Sequence, residues 1–211
     1  MHKLSGGVLL SMISPMLFAT VGGEETIELL GYDQFDQKIY LARYFHDASG
    51  RVPQLYYYQL NSKQPTQLIE VKSIYHHLDR HSLDAEEKVE QAFKNIQSRL
   101  MPLQKSVMTN TQIKIIKQQQ SKGLYWQTSH PDDQFQVQPF RQDYLLCNRH
   151  MQSPVQHSVS YNNQALTLKH LWQVPQQNIQ LAIIEYTGIN VETGYIKQDP
   201  VLLSYTQKTI C

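Results

Sequence analysis

The chain has 211 residues, 41% of them hydrophobic and 18% charged, with 19 Lys+Arg against 18 Asp+Glu. That balance excludes a protein built to neutralise nucleic-acid phosphates and excludes a polybasic membrane patch. Low charge combined with 13 Tyr fits a folded, β-rich protein better than a disordered one.

Met1-His2-Lys3 is a short basic start, residues 4–23 carry no charged side chain, and Glu24-Glu25 turns the chain polar. This is the layout of a secretory signal peptide, with cleavage expected between Ala19 and Glu24. The alternative is a retained spanning helix, but Ser5, Gly6, Gly7, Ser11, Ser14 and Pro15 dilute the apolar run. No later stretch is long and apolar enough to span a bilayer. The expectation is a periplasmic or secreted protein with no transmembrane segment once the leader is removed. Only Lys3 leaves with it, so the mature chain carries 18 charges of each sign (19 − 1 against 18).

The next elements read as strands. Residues 26–32 alternate, with Ile27, Leu29 and Gly31 on one face. Residues 38–46 place Ile39, Leu41, Arg43 and Phe45 on one side and Tyr40, Ala42 and Tyr44 on the other. Residues 54–60 and a short strand over 66–71 complete an antiparallel meander. A helix follows at about 83–100. Ser82 can cap it, Asp84, Glu86 and Glu87 suit the positive end of its dipole, and Val89, Phe93, Ile96 and Leu100 form one apolar stripe. Pro102 marks its stop.

Strands resume near residue 112. Residues 123–128 and 134–138 flank the turn His130-Pro131-Asp132-Asp133. Residues 144–147 form the next strand, and residues 155–161 and 165–172 flank Asn162-Asn163, which suits a tight hairpin. Residues 179–186 are the most apolar strand and are expected to be central. The last strand, 195–205, is expected to be interrupted by Pro200. No period of 20–50 residues recurs. The fold class is therefore α+β, mainly antiparallel sheet with one amphipathic helix packed on it, and not a repeat protein. After the signal peptide (1–23), one domain spans 24–211: a meander (24–71), a helical connection (72–105) and a C-terminal sheet (110–211).

The two cysteines, Cys147 and Cys211, are expected to pair in an oxidising compartment. A bridge would close a loop of about 64 residues and tie down the C-terminus.

Residues 30–68 resemble one blade of the propeller repeat of periplasmic TolB-type proteins. The matching pieces are Gly31-Tyr32, Asp36, Lys38-Ile39-Tyr40, Gln54-Leu55-Tyr56-Tyr57-Tyr58, Leu60 to Lys63, and Pro65-Thr66-Gln67-Leu68. Gln37 stands where that repeat usually has Gly, and the connection 45–53 is long. A single blade cannot make a propeller. The order of parts, with a polar helical middle and a late apolar strand before Gly188-Ile189-Asn190-Val191-Glu192, is similar to a family of predicted secreted bacterial proteins with no assigned function. The resemblance implies export and a soluble β-rich domain, and implies no reaction.

Signatures of chemistry are sparse. There is no Gly-x-Ser-x-Gly elbow, no His-Glu-x-x-His, no Cys-x-x-Cys and no phosphate-binding Gly-rich loop in the mature chain, so neither a catalytic residue nor a cofactor is identified. His76, His77 and His81 form a compact cluster; on a helix His77 and His81 have chelating spacing, although the segment reads equally as a solvated connection. His130 to Asp133 reads as a turn that two carboxylates could make metal-binding. Glu185 lies in the apolar strand. Burial would raise its pKa and make it an acid, whereas strand alternation places it outward. Tyr40, Tyr44, Tyr56 and Tyr58 are candidates for one aromatic binding face, against the plainer reading of core and cross-strand packing. These features point to a non-enzymatic periplasmic or secreted binding module whose partner is an envelope protein, peptide or glycan. The alternatives are an envelope hydrolase using unidentified carboxylates, or a metal-binding protein using His76, His77 and His81.

Overall fold

The computed structural model describes residues 23–47, 50–76, 84–108, 110–120, 124–127, 134–137, 139–161, 165–189, 194–207 and 211. In chain order they form β1 (Glu24–Asp33), β2 (Lys38–His46), β3 (Gln54–Gln59), β4 (Leu68–Glu70), a single 3-10 turn (Ser73–Tyr75) and α1 (Ala85–Gln97). Then come β5 (Gln104–Lys105), β6 (Gln112–Gln120), β7 (Leu124–Gln127), β8 (Gln134–Val137), β9 (Pro139–Cys147), β10 (Met151–Gln152), β11 (Gln156–Tyr161), β12 (Thr167–Gln173), β13 (Ile179–Ile189) and β14 (Gly194–Tyr205). All of the leader but Gly23 lies outside the described residues, as do Ser82, the His130–Asp133 turn and Asn162-Asn163. The expected α+β class, mainly antiparallel with one helix and no repeat, is the observed one.

The meander is laid out β4-β3-β2-β1. Alternation in β2 sends Ile39 and Leu41 to one face and Tyr40, Ala42 and Tyr44 to the other, and both faces are covered. The second face receives the α1 stripe, in which Val89 and Phe93 are buried and Ile96 and Leu100 pack at the edge. The first packs on Leu181 and Leu202 of the C-terminal half. Each fully buried side chain of this kind contributes about 1.5–3 kcal/mol. Asp84, rather than Ser82, occupies the helix N-cap, and it makes no side-chain capping bond.

A β-bulge shifts the register of β1 between Leu29, opposite Leu41, and Gly31, opposite Tyr40. Gly31 therefore leaves the face of Ile27 and Leu29, contrary to the simple alternation, and lies on the helix side. There a Cβ would stand 2.7 Å from the Leu100 Cβ and 2.9 Å from the Met101 carbonyl oxygen, and φ is +144°. Only glycine lets the chain after α1 come this close. Tyr32 and Met101 exchange both backbone hydrogen bonds at 2.8 Å.

In the C-terminal half, β13 and β14 pair along their whole length, from Ile179↔Ser204 to Ile189↔Gly194. β14 is not interrupted: Pro200 sits in register opposite Ile183. β13 is central, as expected, and its residues alternate between two cores. Ala182, Ile184 and Tyr186 enter one; Leu181 enters the other. Burial on both faces explains the unbroken apolar run. β14 also pairs with β10, β10 and β11 both pair with β9, and β11 touches β13 at Ser160↔Gly188. These five strands close on themselves around Tyr144, Leu146, Met151, Ala182, Ile184 and Leu203, giving a barrel-like sheet.

The expected hairpin between residues 155–161 and 165–172 does not form. β9 takes β11 over six pairs, from Gln156↔Tyr144 to Tyr161↔Pro139, while β12 pairs with β13 and β5. Leu171 of β12 thereby reaches the closed core, a gain that a local hairpin would forgo. The expected β7–β8 pairing is present. The meander joins the closed half through one parallel pair, Glu25↔Lys197.

The expected disulfide is present. Cys147 at the end of β9 bonds Cys211, with Cα atoms 5.9 Å apart across a sequence separation of 64.

Candidate functional site

The four tyrosines proposed from sequence do not share a face. Tyr40 lies opposite Tyr57, on the helix side with Tyr44, whereas Tyr56 and Tyr58 lie opposite Leu41 and Ile39 on the other side. Three consecutive tyrosines on one strand must alternate. Tyr58 is 3% exposed and its hydroxyl donates to the Pro200 carbonyl at 2.9 Å. Tyr56 donates to Gln54 Oε1 at 2.6 Å and has the Arg43 guanidinium over its ring. Burial raises the pKa of Tyr40, Tyr44, Tyr56 and Tyr58 alike, with Glu28 adding to the shift at Tyr44. Tyr56 and Tyr58 thus pack where the meander meets the C-terminal half, and Tyr40 and Tyr44 pack beneath α1.

His76 is exposed and follows the 3-10 turn; His77 and His81 lie outside the described residues. Among the described residues no group of three or more His, Cys, Asp or Glu side chains could hold a metal ion. Glu185 is not a raised-pKa acid. Burial pushes its pKa up, but the bonds from Lys169 (2.9 Å) and Gln198 (2.9 Å) outweigh this and hold it low.

The two described clefts meet at β11. The larger, about 390 Å³, is lined by Lys117, Gln119, Arg141, Asp143, His157, Ser158 and Val159. Strand pairing explains the grouping. On the outer face of β6, β9 and β11, Lys117, Asp143 and His157 stand in one cross-strand row, and Gln119, Arg141 and Val159 in the next. The inward residues between them, Gln142, Ser158 and Ser160, are buried, and each has an oxygen without a hydrogen-bond partner. His157 Nδ1 and Asp143 Oδ1 are 2.8 Å apart; the His side chain is 76% exposed and the Asp 34%. The Asp143 carboxylate is thus turned towards β11. Neither the Lys117 nor the Arg141 side chain has an ion-pair partner among the described residues. The surface sets two cations and an imidazole against one carboxylate.

The smaller cleft, about 290 Å³, is lined by His157, Val159, Tyr186, Gly188, Lys197 and Asp199. It borders the seam between the halves, where charge is balanced. Arg43 donates to Glu25 Oε2 (2.9 Å) and Asp199 Oδ1 (3.0 Å), and the Tyr186 hydroxyl donates to Asp199 Oδ2 (2.6 Å). Burial opposes the Arg43 charge, but Asp199 and Glu25 more than restore it and its pKa is raised. Gln198 bridges the Ile27 backbone N–H and Glu185.

Sequence reasoning singled out none of Lys117, Arg141, Asp143 and His157. Hydropathy alternation gives no signal for them, because the buried neighbours Gln142, Ser158 and Ser160 are polar and Val159 is exposed. The register that unites three strands is non-local. The chain matches no protein-family model, no curated protein and no solved structure, so the reading of this face rests on its own geometry.

Proposed function

We propose that the protein is an exported, non-enzymatic binding module of the cell envelope, and that it meets its partner on the outer face of β6, β9 and β11. The observation that supports this reading is the larger cleft, where Lys117 and Arg141 stand exposed beside the His157–Asp143 pair. Exposed charge without a compensating partner contributes little to folding, so its value lies in what it attracts. The Cys147–Cys211 bridge supports a compartment outside the cytoplasm. No helix among the described residues is long and apolar enough to cross a membrane.

Expression with the native leader in a Gram-negative host tests the export half. Mass spectrometry of the osmotic-shock fluid should show a chain starting between Val21 and Glu24, two hydrogen atoms lighter than the dithiol form. Recovery from the cytosol with Met1 retained would overturn it. The binding half is tested by immobilising the mature protein and challenging it with envelope extract. The wild type should retain material that the Lys117→Glu/Arg141→Glu variant does not, at equal melting temperature; equal retention would remove the proposed face.

A further inference from the structure

We propose that the cleft on β6, β9 and β11 is a site for an anionic group, a carboxylate or a phosphate ester, held between Arg141 and Lys117. The proposal deepens the binding-module reading and rests on it for the biological setting. Its chemistry comes from the strand register. Lys117 lies directly opposite Asp143 on the paired strand, a position from which opposite charges ordinarily pair. Here the carboxylate is drawn to His157 on the far strand, at 2.8 Å. Lys117 is left unpaired among the described residues, one row from Arg141.

Lys117 and Arg141 are diagonal neighbours on paired strands, a spacing of roughly 7–8 Å that long side chains can close onto one small oxyanion. The arginine can present a fork of two N–H donors and the lysine a point charge. Val159 stands opposite Arg141 and is 42% exposed, which offers an apolar patch to the carbon skeleton that carries the anion. Asp143 acts as a gate in this arrangement. While it bonds His157, the cations are available; released, it closes on Lys117 and competes with the ligand.

That arrangement makes predictions of opposite sign, which a purely structural role does not. The probes are inorganic phosphate and glucuronate, titrated calorimetrically into the oxidised mature protein at neutral pH and low ionic strength, where screening is least. At least one should bind saturably. Arg141→Gln should weaken binding about tenfold, the loss expected for a charge-assisted pair, and Arg141→Lys should recover part of it. Lys117→Gln should weaken it less. Asp143→Asn should tighten it, and His157→Ala should weaken it by freeing Asp143 for Lys117.

Melting temperatures within about 2 °C of wild type would show that folding is not the cause. Binding of phosphate alone identifies a phosphate ester as the ligand group, and binding of glucuronate alone identifies a carboxylate. Absence of binding by both probes, or equal affinity in wild type and Arg141→Gln, would overturn the proposal. Envelope capture that ignores both salt and Arg141→Gln would retire the anion site while keeping the binding role. Probe binding without envelope capture would do the reverse.

Discussion

The N-terminal meander and the C-terminal closed sheet use the same strand chemistry to different ends. In the meander both faces are occupied. Tyr40, Ala42 and Tyr44 meet α1, while Ile39, Leu41 and Tyr58 meet β13 and β14. Aromatic residues that would suit a binding face are spent on packing. In the closed sheet the inner face of β9 and β11 is buried and the outer face is polar, exposed and indented. A sheet with two covered faces contributes stability; a sheet with one bare face can also recognise something. The comparison moves the proposed site from the tyrosine hairpin to the three-strand face that carries Lys117, Arg141 and His157.

The largest test of this division is reduction of Cys147–Cys211. The bridge constrains the closed half only, and the loop-entropy relation assigns it roughly 4 kcal/mol. Denaturant unfolding of the Cys147→Ser/Cys211→Ser variant should show that loss. A single coincident transition by tyrosine fluorescence and circular dichroism would mean that the halves unfold together; separate transitions would divide the molecule at the Glu25↔Lys197 seam.

Next in size is the seam itself. Arg43, Glu25 and Asp199 side chains are 12%, 13% and 26% exposed. Arg43→Met should cost about 2–3 kcal/mol, below the value for breaking a fully buried pair, because it strips Asp199 of its cation while Glu25 keeps Lys197 at 3.6 Å. Adding Asp199→Asn should recover part of the loss. An unchanged urea midpoint in the single variant would show that the seam is held by apolar contacts alone.

Acid gives a smaller effect. The folded-state pKa of Glu185 is depressed, so its contribution is present above the unfolded value of about 4.3 and is lost as pH falls through the folded value. Between about pH 5 and pH 3 the wild type should lose more stability than Glu185→Gln. Equal losses would show that the Lys169 and Gln198 bonds do not favour the carboxylate.

The smallest effect is expected in the turn between β1 and β2. Asp33 Oδ1 accepts from the backbone N–H of Phe35 (3.0 Å) and Asp36 (3.1 Å), and Gln37 follows with φ +51°. Gln37→Gly relieves that conformation and should stabilise the fold by no more than about 1 kcal/mol. A clear destabilisation would mean that the Gln37 side chain packs in a way its conformation does not reveal.

Local features were legible in the sequence. Period-two alternation located β2 and the face of each of its residues, three- and four-residue spacing located α1, and composition located the central strand β13. Non-local ones were not. The bulge that moves Gly31 across β1 answers to the approach of Met101. Pro200 stays within β14, in register with Ile183, and its carbonyl accepts from the Tyr58 hydroxyl of the meander. The loss of the β11–β12 hairpin reflects competition for β9 and β13, which no window of ten residues contains. The proposed site was the least legible, because Lys117, Arg141 and His157 sit on three strands and become neighbours only through register.

The most direct test of the division between the two halves is an amide chemical-shift titration of the isotope-labelled, oxidised protein with phosphate or glucuronate. The perturbed amides should cluster around Lys117, Arg141, Asp143 and His157. Perturbations centred on Tyr40, Tyr44, Tyr56 and Tyr58, or none at saturating probe, would contradict the placement of the site on the closed sheet.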